Sequence, residues 1–253
     1  MFVSFCEVSS NSVRRLINSP DSLKYKESCV FIGSDFCYRK LYSLKYSHIR
    51  EIIDSVHAHD GKLIFVFPII PEIEIEHFHR FVSFLFEISI DGIVINDYGA
   101  MYYIHKLYPN IPLSLGRLLV KNCRDYSNKK NDSFRFPSEI DNIVTQFDIH
   151  HIHLDLDTKT TKMSNAITIT HGYKYISSSM RCEYKKSPLF DSYTVDGKCD
   201  FECLYQHIRI GNSGVFRIGN TIICQNDNES PTLKEIGIDF LLKHHIHEGN
   251  GST

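Results

Sequence analysis

Short apolar runs alternate with amphipathic stretches along most of the chain, and this alternation predicts repeated βα units. Eight apolar runs are predicted strands, at Phe2–Val8, Cys29–Gly33, Lys62–Pro68, Gly92–Asn96, Ile111–Leu115, His150–Leu156, Ile167–His171 and Ile238–Leu242. Six stretches between them are predicted helices, at Ser12–Asn18, His48–His59, Ile75–Glu87, Ala100–Leu107, Glu139–Phe147 and Thr232–Ile236.

Eight βα units in a chain of this length are typical of a closed parallel barrel. The predicted fold is α/β, a single (β/α)8 TIM-type barrel with a cysteine-bearing insertion before the last strand. We expect one barrel domain at residues 1–247, the insertion at about 177–224, and a small polar, disordered tail at 248–253. Within the insertion, Val215–Cys224 is predicted to form a hairpin that turns at Gly219-Asn220.

The amino-acid composition favours a soluble globular protein over a membrane protein or a nucleic-acid binder. The chain is 42% hydrophobic and 23% charged, with a formal net charge of −2, as in soluble globular proteins. No apolar run approaches the roughly 18–20 residues of a membrane span, and no basic-then-apolar signal region is apparent at the N-terminus. The expected location is therefore cytoplasmic, without membrane insertion. The balanced charge also argues against a dedicated nucleic-acid binder, which normally has a basic stripe.

Eight cysteines are many for a chain expected in a reducing compartment, where structural disulfides are rare. Sixteen residues separate Cys182 from Cys199, and three separate Cys199 from Cys203. The shorter gap places two thiolates about one helical turn apart, which suits either an iron–sulfur cluster or zinc. Cys37 is the candidate fourth ligand, because it follows a predicted strand and residues after barrel strands converge on one face.

The other cysteines are expected to have different roles. Cys6 and Cys29 lie within apolar strands and are predicted to be small core residues. Cys123 and Cys224 are reserve ligands only.

Polar residues after the predicted strands are candidate substrate-binding groups. Asn96 and Asp97 end the fourth strand, Arg117 follows the fifth and His171 ends the seventh, so all four are expected to point toward the barrel mouth. An arginine there suits a carboxylate ligand. His171 suits either proton transfer or a structural hydrogen bond. No Ser–His–Asp or Cys–His arrangement is recognisable, which counts against a peptidase.

Two histidine-rich segments, His150–His153 and His244–His247, raise the question of a metal site. His151 and His153 share one face of a strand. A partly exposed rim of the strand is the favoured interpretation for them. The second segment is near-terminal and is expected to bind metal only adventitiously.

The cysteine-bearing segments resemble the collagenase-like peptidase family (peptidase family U-32), and within it the UbiV-type iron–sulfur branch. The matching stretches are Val30–Lys40, which contains Cys37, Asp91–Ala100 with Tyr108–Leu113, Ile167–Gly172 leading to Ser178–Cys182, and Cys199–Cys203. The resemblance implies a barrel that holds a [4Fe–4S] cluster on Cys37, Cys182, Cys199 and Cys203.

The resemblance also implies a chemistry. Relatives of this branch take part in hydroxylation without molecular oxygen, on a quinone precursor or an RNA base, with prephenate as oxygen donor and a second, related barrel subunit as partner. Two alternatives stay open: a non-catalytic [4Fe–4S] protein that transfers electrons to a related subunit or supports it, and a hydrolase with a structural zinc. Whether the chain is itself an enzyme is left undecided.

Overall fold

The structure is a computed structural model, and it describes residues 3–7, 29–121, 133–134, 138–155, 159–160, 167–171, 173–178, 208–211, 214–218, 220–225 and 240–244. The chain divides into two compact units. The first consists of residues 1–172 and 229–245, and the second of residues 173–228 and 246–253.

The first unit is a mixed α/β unit built on a curled parallel sheet. Its strands are β1 (Val3–Glu7), β2 (Cys29–Gly33), β3 (Lys62–Phe67), β4 (Gly92–Ile95), β5 (Leu113–Leu115), β7 (Ile149–Asp155), β9 (Ile167–His171) and β14 (Phe240–His244). Two short strands, β6 (Ser133–Phe134) and β8 (Lys159–Thr160), pair separately with each other. Each of the eight predicted strands therefore has a counterpart.

Five strands are consecutive neighbours in the sheet, in the order β2, β3, β4, β5 and β7. Parallel pairing continues from β7 through β9 and β14 to β1, which also pairs with β2. The barrel-like α/β fold is thus confirmed. The complete (β/α)8 barrel stays a prediction, because the first and last predicted helices, Ser12–Asn18 and Thr232–Ile236, lie outside the described residues.

Six α-helices are described, and all of them lie between β2 and β7 along the chain. They are α1 (Tyr38–Tyr42), α2 (Tyr46–His57), α3 (Ile75–Glu87), α4 (Tyr98–Leu107), α5 (Arg117–Lys121) and α6 (Ser138–Gln146), with a 3-10 turn at Glu72–Glu74. The predicted helix at Ile75–Glu87 has the observed bounds, and three others agree within two residues at each end. The five-residue helices α1 and α5 were not predicted. None of the helices in the described ranges is long and apolar enough to cross a membrane.

Alternate side chains of the strands belong to two separate apolar clusters, as the two-residue period of a strand requires. One face of the sheet packs against the helices, where Phe65 and Phe67 contact Phe81 of α3. The other face carries a small buried cluster made by Cys29, Phe31, Ile64, Val66 and Val94. We call this second surface the inner face. The core role predicted for Cys29 is confirmed.

The second unit contains an antiparallel sheet in the order β10 (Tyr173–Ser178), β13 (Thr221–Gln225), β12 (Val215–Ile218) and β11 (Ile208–Ile210). β12 and β13 pair antiparallel up to Ile218 and Thr221, so the predicted hairpin is confirmed. This unit contains the segment predicted as an insertion. The predicted tail at 248–253 lies outside the described residues.

We expect Phe81→Ala to lower the free energy of unfolding by about 3–5 kcal/mol, because a fully buried aromatic side chain leaves a cavity. Urea unfolding followed by circular dichroism measures the loss. Tyr102→Ala is the matched control, since Tyr102 is 61% exposed, and its effect should stay within about 0.5 kcal/mol. A loss below about 1 kcal/mol at Phe81 would contradict the described packing.

Candidate functional site

Buried polar side chains gather at the carboxyl ends of the parallel strands. Asp35 follows β2, Asn96 follows β4, and Arg117 follows β5, while Asp155 ends β7. All four are at most 5% exposed. This is the edge at which parallel barrels and sheets bind ligands.

The guanidinium of Arg117 is held between two carboxylates. Its Nε and Nη2 donate to Asp35 Oδ2 at 3.2 and 2.8 Å, and its Nη1 donates to Asp155 Oδ1 at 3.3 Å. The guanidinium carbon also lies 5.0 Å from the centre of the Phe36 ring, which is a favourable cation–π distance. These contacts connect the ends of β2, β5 and β7 through a single side chain.

Asn96 extends this network to β4. Its Nδ2 donates to Asp35 Oδ1 at 3.1 Å and to the carbonyl oxygen of Phe67 at 3.0 Å, and its Oδ1 accepts from the Leu118 N–H at 2.9 Å. A Cβ atom at Gly116 would overlap the Asn96 amide. Glycine at position 116 therefore leaves the space that the amide occupies between β4 and α5.

The buried side chain of Arg117 remains a cation in this site. Burial alone would lower the pKa of Arg117, but attraction and hydrogen bonds from Asp35 and Asp155 outweigh it, so its pKa is raised and the guanidinium stays charged. The site thus presents a fixed cation whose described hydrogen bonds are directed at two carboxylates.

A pair of histidines lies on the neighbouring strands β7 and β9. Nδ1 of His153 is 2.9 Å from Nε2 of His171, and both residues are 1% exposed. Burial, together with His151 and Arg117, holds the pKa of His153 well below its usual value, so the ring is neutral at pH 7. The rim interpretation is therefore wrong for His153, which belongs to the buried inner face.

The structure does not bring all four predicted substrate-binding residues together. Asn96 and Arg117 share the network through Asp35, and His171 pairs with His153. Asp97 instead has a capping role: its Oδ1 accepts from the Ala100 N–H at 2.9 Å and its Oδ2 from the Ile70 N–H at 3.2 Å. Whether any of the four binds a substrate stays a prediction.

Cys37 is the one predicted cluster ligand within the described residues. It lies directly before α1, and its N–H donates to Ser34 Oγ at 3.2 Å, which fixes the turn after β2. Its side chain is partly exposed. In the part of the chain that the structure describes, no group of three or more His, Cys, Asp or Glu side chains is arranged to hold a metal. Cys182, Cys199 and Cys203 lie outside that part.

Two buried residues of this region, Asp35 and Asp155, were missed by the sequence analysis, and His153 was assigned there to a partly exposed rim. Asp35 had a usable signal, since it follows a predicted strand in the same way as Arg117. Asp155 and His153 share one face of β7, with His151 in the same alternating row. The alternation of His151, His153 and Asp155 indicated that they share one face of the strand. It did not reveal that this face is buried by neighbouring parts of the structure.

Part of the chain is similar to a known protein family. Residues 20–135 match the family model described as peptidase family U32, a segment just under half of the chain. The matched segment contains Asp35, Cys37, Asn96 and Arg117. No curated protein matches the sequence significantly. The match supports a relationship to the U32 family and leaves the UbiV-type branch as a prediction.

We expect Asp35→Asn to lower the free energy of unfolding by about 3–5 kcal/mol at pH 7, because it removes half of the charge that compensates a buried guanidinium. Asp155→Asn should also be destabilising, since it removes the second carboxylate that the Arg117 guanidinium contacts. Denaturant unfolding measures both variants.

Asp148→Asn is the control for these two variants. Asp148 has a 90% exposed side chain and a φ of 49°, a conformation that asparagine also tolerates. Its effect should stay within about 0.5 kcal/mol. An equal effect of Asp35→Asn and Asp148→Asn would contradict the described network.

Proposed function

We propose that the chain is a U32-family protein with a (β/α)8 barrel and a [4Fe–4S] cluster on Cys37, Cys182, Cys199 and Cys203. The observation that carries this proposal is the position of Cys37, two residues beyond Asp35 at the edge where the buried polar network lies. The family match over residues 20–135 includes this turn. The order of the other three cysteines along the chain supports the same ligand set.

The turn that carries Cys37 suits a metal ligand. The Ser34 hydroxyl accepts hydrogen bonds from the N–H groups of Phe36 and Cys37, so the backbone before the thiol is held in place. Cys37 is also partly exposed rather than enclosed in the core. Iron–sulfur clusters are held by thiolates of this kind and supply one-electron transfer when bound.

The proposed activity is that of a subunit in an oxygen-independent hydroxylase. Prephenate is the proposed oxygen donor, and a quinone precursor or a related aromatic or nucleobase compound is the acceptor. A second, related barrel subunit is the proposed partner. The residues of this chain that would serve the site are the buried groups at the strand ends: Asn96 and Arg117, which orient the neighbouring loops, and His171, which can hold a proton.

One observation favours a second candidate function. The described hydrogen bonds of Arg117 go to Asp35 and Asp155, so a dicarboxylate such as prephenate would compete with two buried carboxylates for the same cation. Because the Arg117 cation is already bonded to carboxylates of the same chain, this arrangement favours a non-catalytic role. In that role the chain transfers electrons to the related subunit or supports its structure. In that case the donor binds to the partner.

We expect protein prepared without oxygen to contain about four iron atoms per chain. Cys37→Ala should remove most of the iron, because a cluster that keeps only three of its four thiolate ligands is held less firmly. Cys29→Ala should retain the iron, because Cys29 is a buried core residue and not a proposed ligand. Iron and sulfide analysis under anaerobic conditions measures both. Stoichiometric zinc without iron would contradict the proposal and favour the hydrolase with a structural zinc.

Calorimetry with prephenate separates the two proposed roles. If this chain binds the donor, the isolated protein should bind prephenate with a Kd below about 1 mM, or better than about −4 kcal/mol. Binding by the complex with the related subunit, but not by this chain alone, would assign the donor to the partner. Binding by neither preparation would contradict prephenate as the donor.

A further inference from the structure

A groove runs between α2 and α3, on the side of these helices that is open to solvent. Its volume is about 580 Å³, and its walls include Tyr46 and Arg50 of α2 and Arg80, Phe84 and Glu87 of α3. Arg50, Arg80 and Glu87 are all exposed. The groove therefore offers room for a ligand that approaches from outside the fold.

A stacked pair of aromatic rings lies in the groove. Tyr46 stacks on the buried ring of Phe84, with ring centres 4.1 Å apart and an angle of 7° between the planes. Tyr46 is itself 40% exposed, so part of its ring is available to a second apolar group. Tyrosine is enriched among the residues that dominate binding at protein interfaces, because it combines a large rigid apolar surface with a polar end. Tyr46 is thus an apolar contact point for a ligand.

Two arginines border this aromatic pair. The guanidinium carbon of Arg50 lies 5.2 Å from the centre of the Phe84 ring, which is a cation–π distance. Arg80 is one helical turn before Phe84 on α3 and lines the same groove. Among the residues that the structure describes, neither arginine has a carboxylate within ion-pair distance. This distinguishes both from Arg117, and it leaves their guanidinium donors to an acceptor from another molecule.

We propose that this groove is a docking site for an acidic segment of a partner protein, which places carboxylates at Arg50 and Arg80 and an apolar side chain against Tyr46. Carboxylates match a guanidinium, because they accept two parallel hydrogen bonds from its planar fork. The open shape of the groove favours a polypeptide segment over a small molecule, since small-molecule sites enclose most of the ligand surface.

Glu87 sets the direction of the bound segment. It lines the groove seven residues beyond Arg80, which is about 10 Å along the helix axis. A segment with carboxylates at the two arginines and a basic residue at the Glu87 end is complementary in charge to both ends of the groove. A nucleic acid strand carries a negative charge at every phosphate and would bring one to Glu87, which disfavours it as the occupant.

This inference goes beyond the proposed function, since it concerns the exposed sides of α2 and α3 and uses none of the residues at the strand ends. Loss of the iron–sulfur proposal would leave the docking site unchanged. Variants of the groove should in turn keep the iron content of the unsubstituted protein, because no groove residue is a proposed ligand. Iron analysis and ligand binding therefore test the two proposals separately.

Titration of the full-length protein with the peptide acetyl-Asp-Glu-Phe-Asp-Gly-Lys-amide tests the docking site. Nitrogen-15 NMR of the arginine-labelled protein follows the Nε–H groups of Arg50 and Arg80. We expect saturable shifts of both groups, with a Kd at or below about 1 mM. The matched peptide acetyl-Asn-Gln-Phe-Asn-Gly-Lys-amide has the same size without the carboxylates, and it should give no saturable shift.

Three groove variants and two control variants complete the test. Arg50→Gln and Arg80→Gln should each weaken peptide binding by about two- to fivefold, as expected for the loss of an exposed ion pair. Tyr46→Ser should weaken it by about tenfold, because the apolar contact is lost. The controls Arg209→Gln and Tyr102→Ser remove an exposed arginine and an exposed tyrosine outside the groove, and they should leave binding unchanged. The two arginine variants change exposed side chains, so the test holds even where Tyr46→Ser is destabilised.

Four results would overturn the proposal. The absence of a saturable shift with the acidic peptide, or an equal shift with the amide peptide, would show that the groove does not recognise carboxylates. Unchanged peptide binding in the double variant Arg50→Gln, Arg80→Gln would place the peptide elsewhere on the protein. An equal effect of inorganic phosphate would reduce the groove to a general anion site. A dimer that is seen by sedimentation and dissociates in the same double variant would identify a second copy of this chain as the occupant.

Discussion

A guanidinium buried between two carboxylates is the interaction on which the rest of the site depends. Removal of a charged group from water costs several kcal/mol, and only good geometry with further hydrogen bonds compensates it. Arg117 meets this condition only when Asp35 of the β2 loop and Asp155 of β7 are both in position. The ends of β2, β5 and β7 must therefore be correctly placed before the Arg117 charge can be buried without a large cost. The formation of the site is thus linked to the formation of the sheet.

The same interaction determines the chemistry available at the strand ends. Since the described hydrogen bonds of Arg117 go to carboxylates, this side chain acts as a support for the loops around it. His153 lies beyond this network among apolar side chains, where burial keeps it neutral. Cys37 lies on the turn that also carries Asp35. The proposed metal ligand Cys37, the ion network around Arg117 and the buried pair of His153 and His171 are thus positioned by the same few strands.

Much of the fold could be predicted because its physical cause is local. Buried parallel strands give apolar runs, and amphipathic helices such as α3 give a 3.6-residue period that is visible without any tertiary contact. The helices α1 and α5 were missed because five residues do not establish a period. The partners of Arg117 were harder to find, because Asp35 and Asp155 lie 82 and 38 residues away along the chain. Only the closed arrangement of strands reveals which polar ends meet.

The most direct test of this account compares Arg117→Met with the triple variant Arg117→Met, Asp35→Asn, Asp155→Asn by denaturant unfolding. The single change leaves two carboxylates buried without their cation, so we expect it to cost about 3–5 kcal/mol. The triple variant removes all three charges, and we expect it to be more stable than the single variant by at least about 1 kcal/mol. A triple variant that is less stable than Arg117→Met, with a cost equal to the sum of the separate changes, would contradict the central role of the buried ion network.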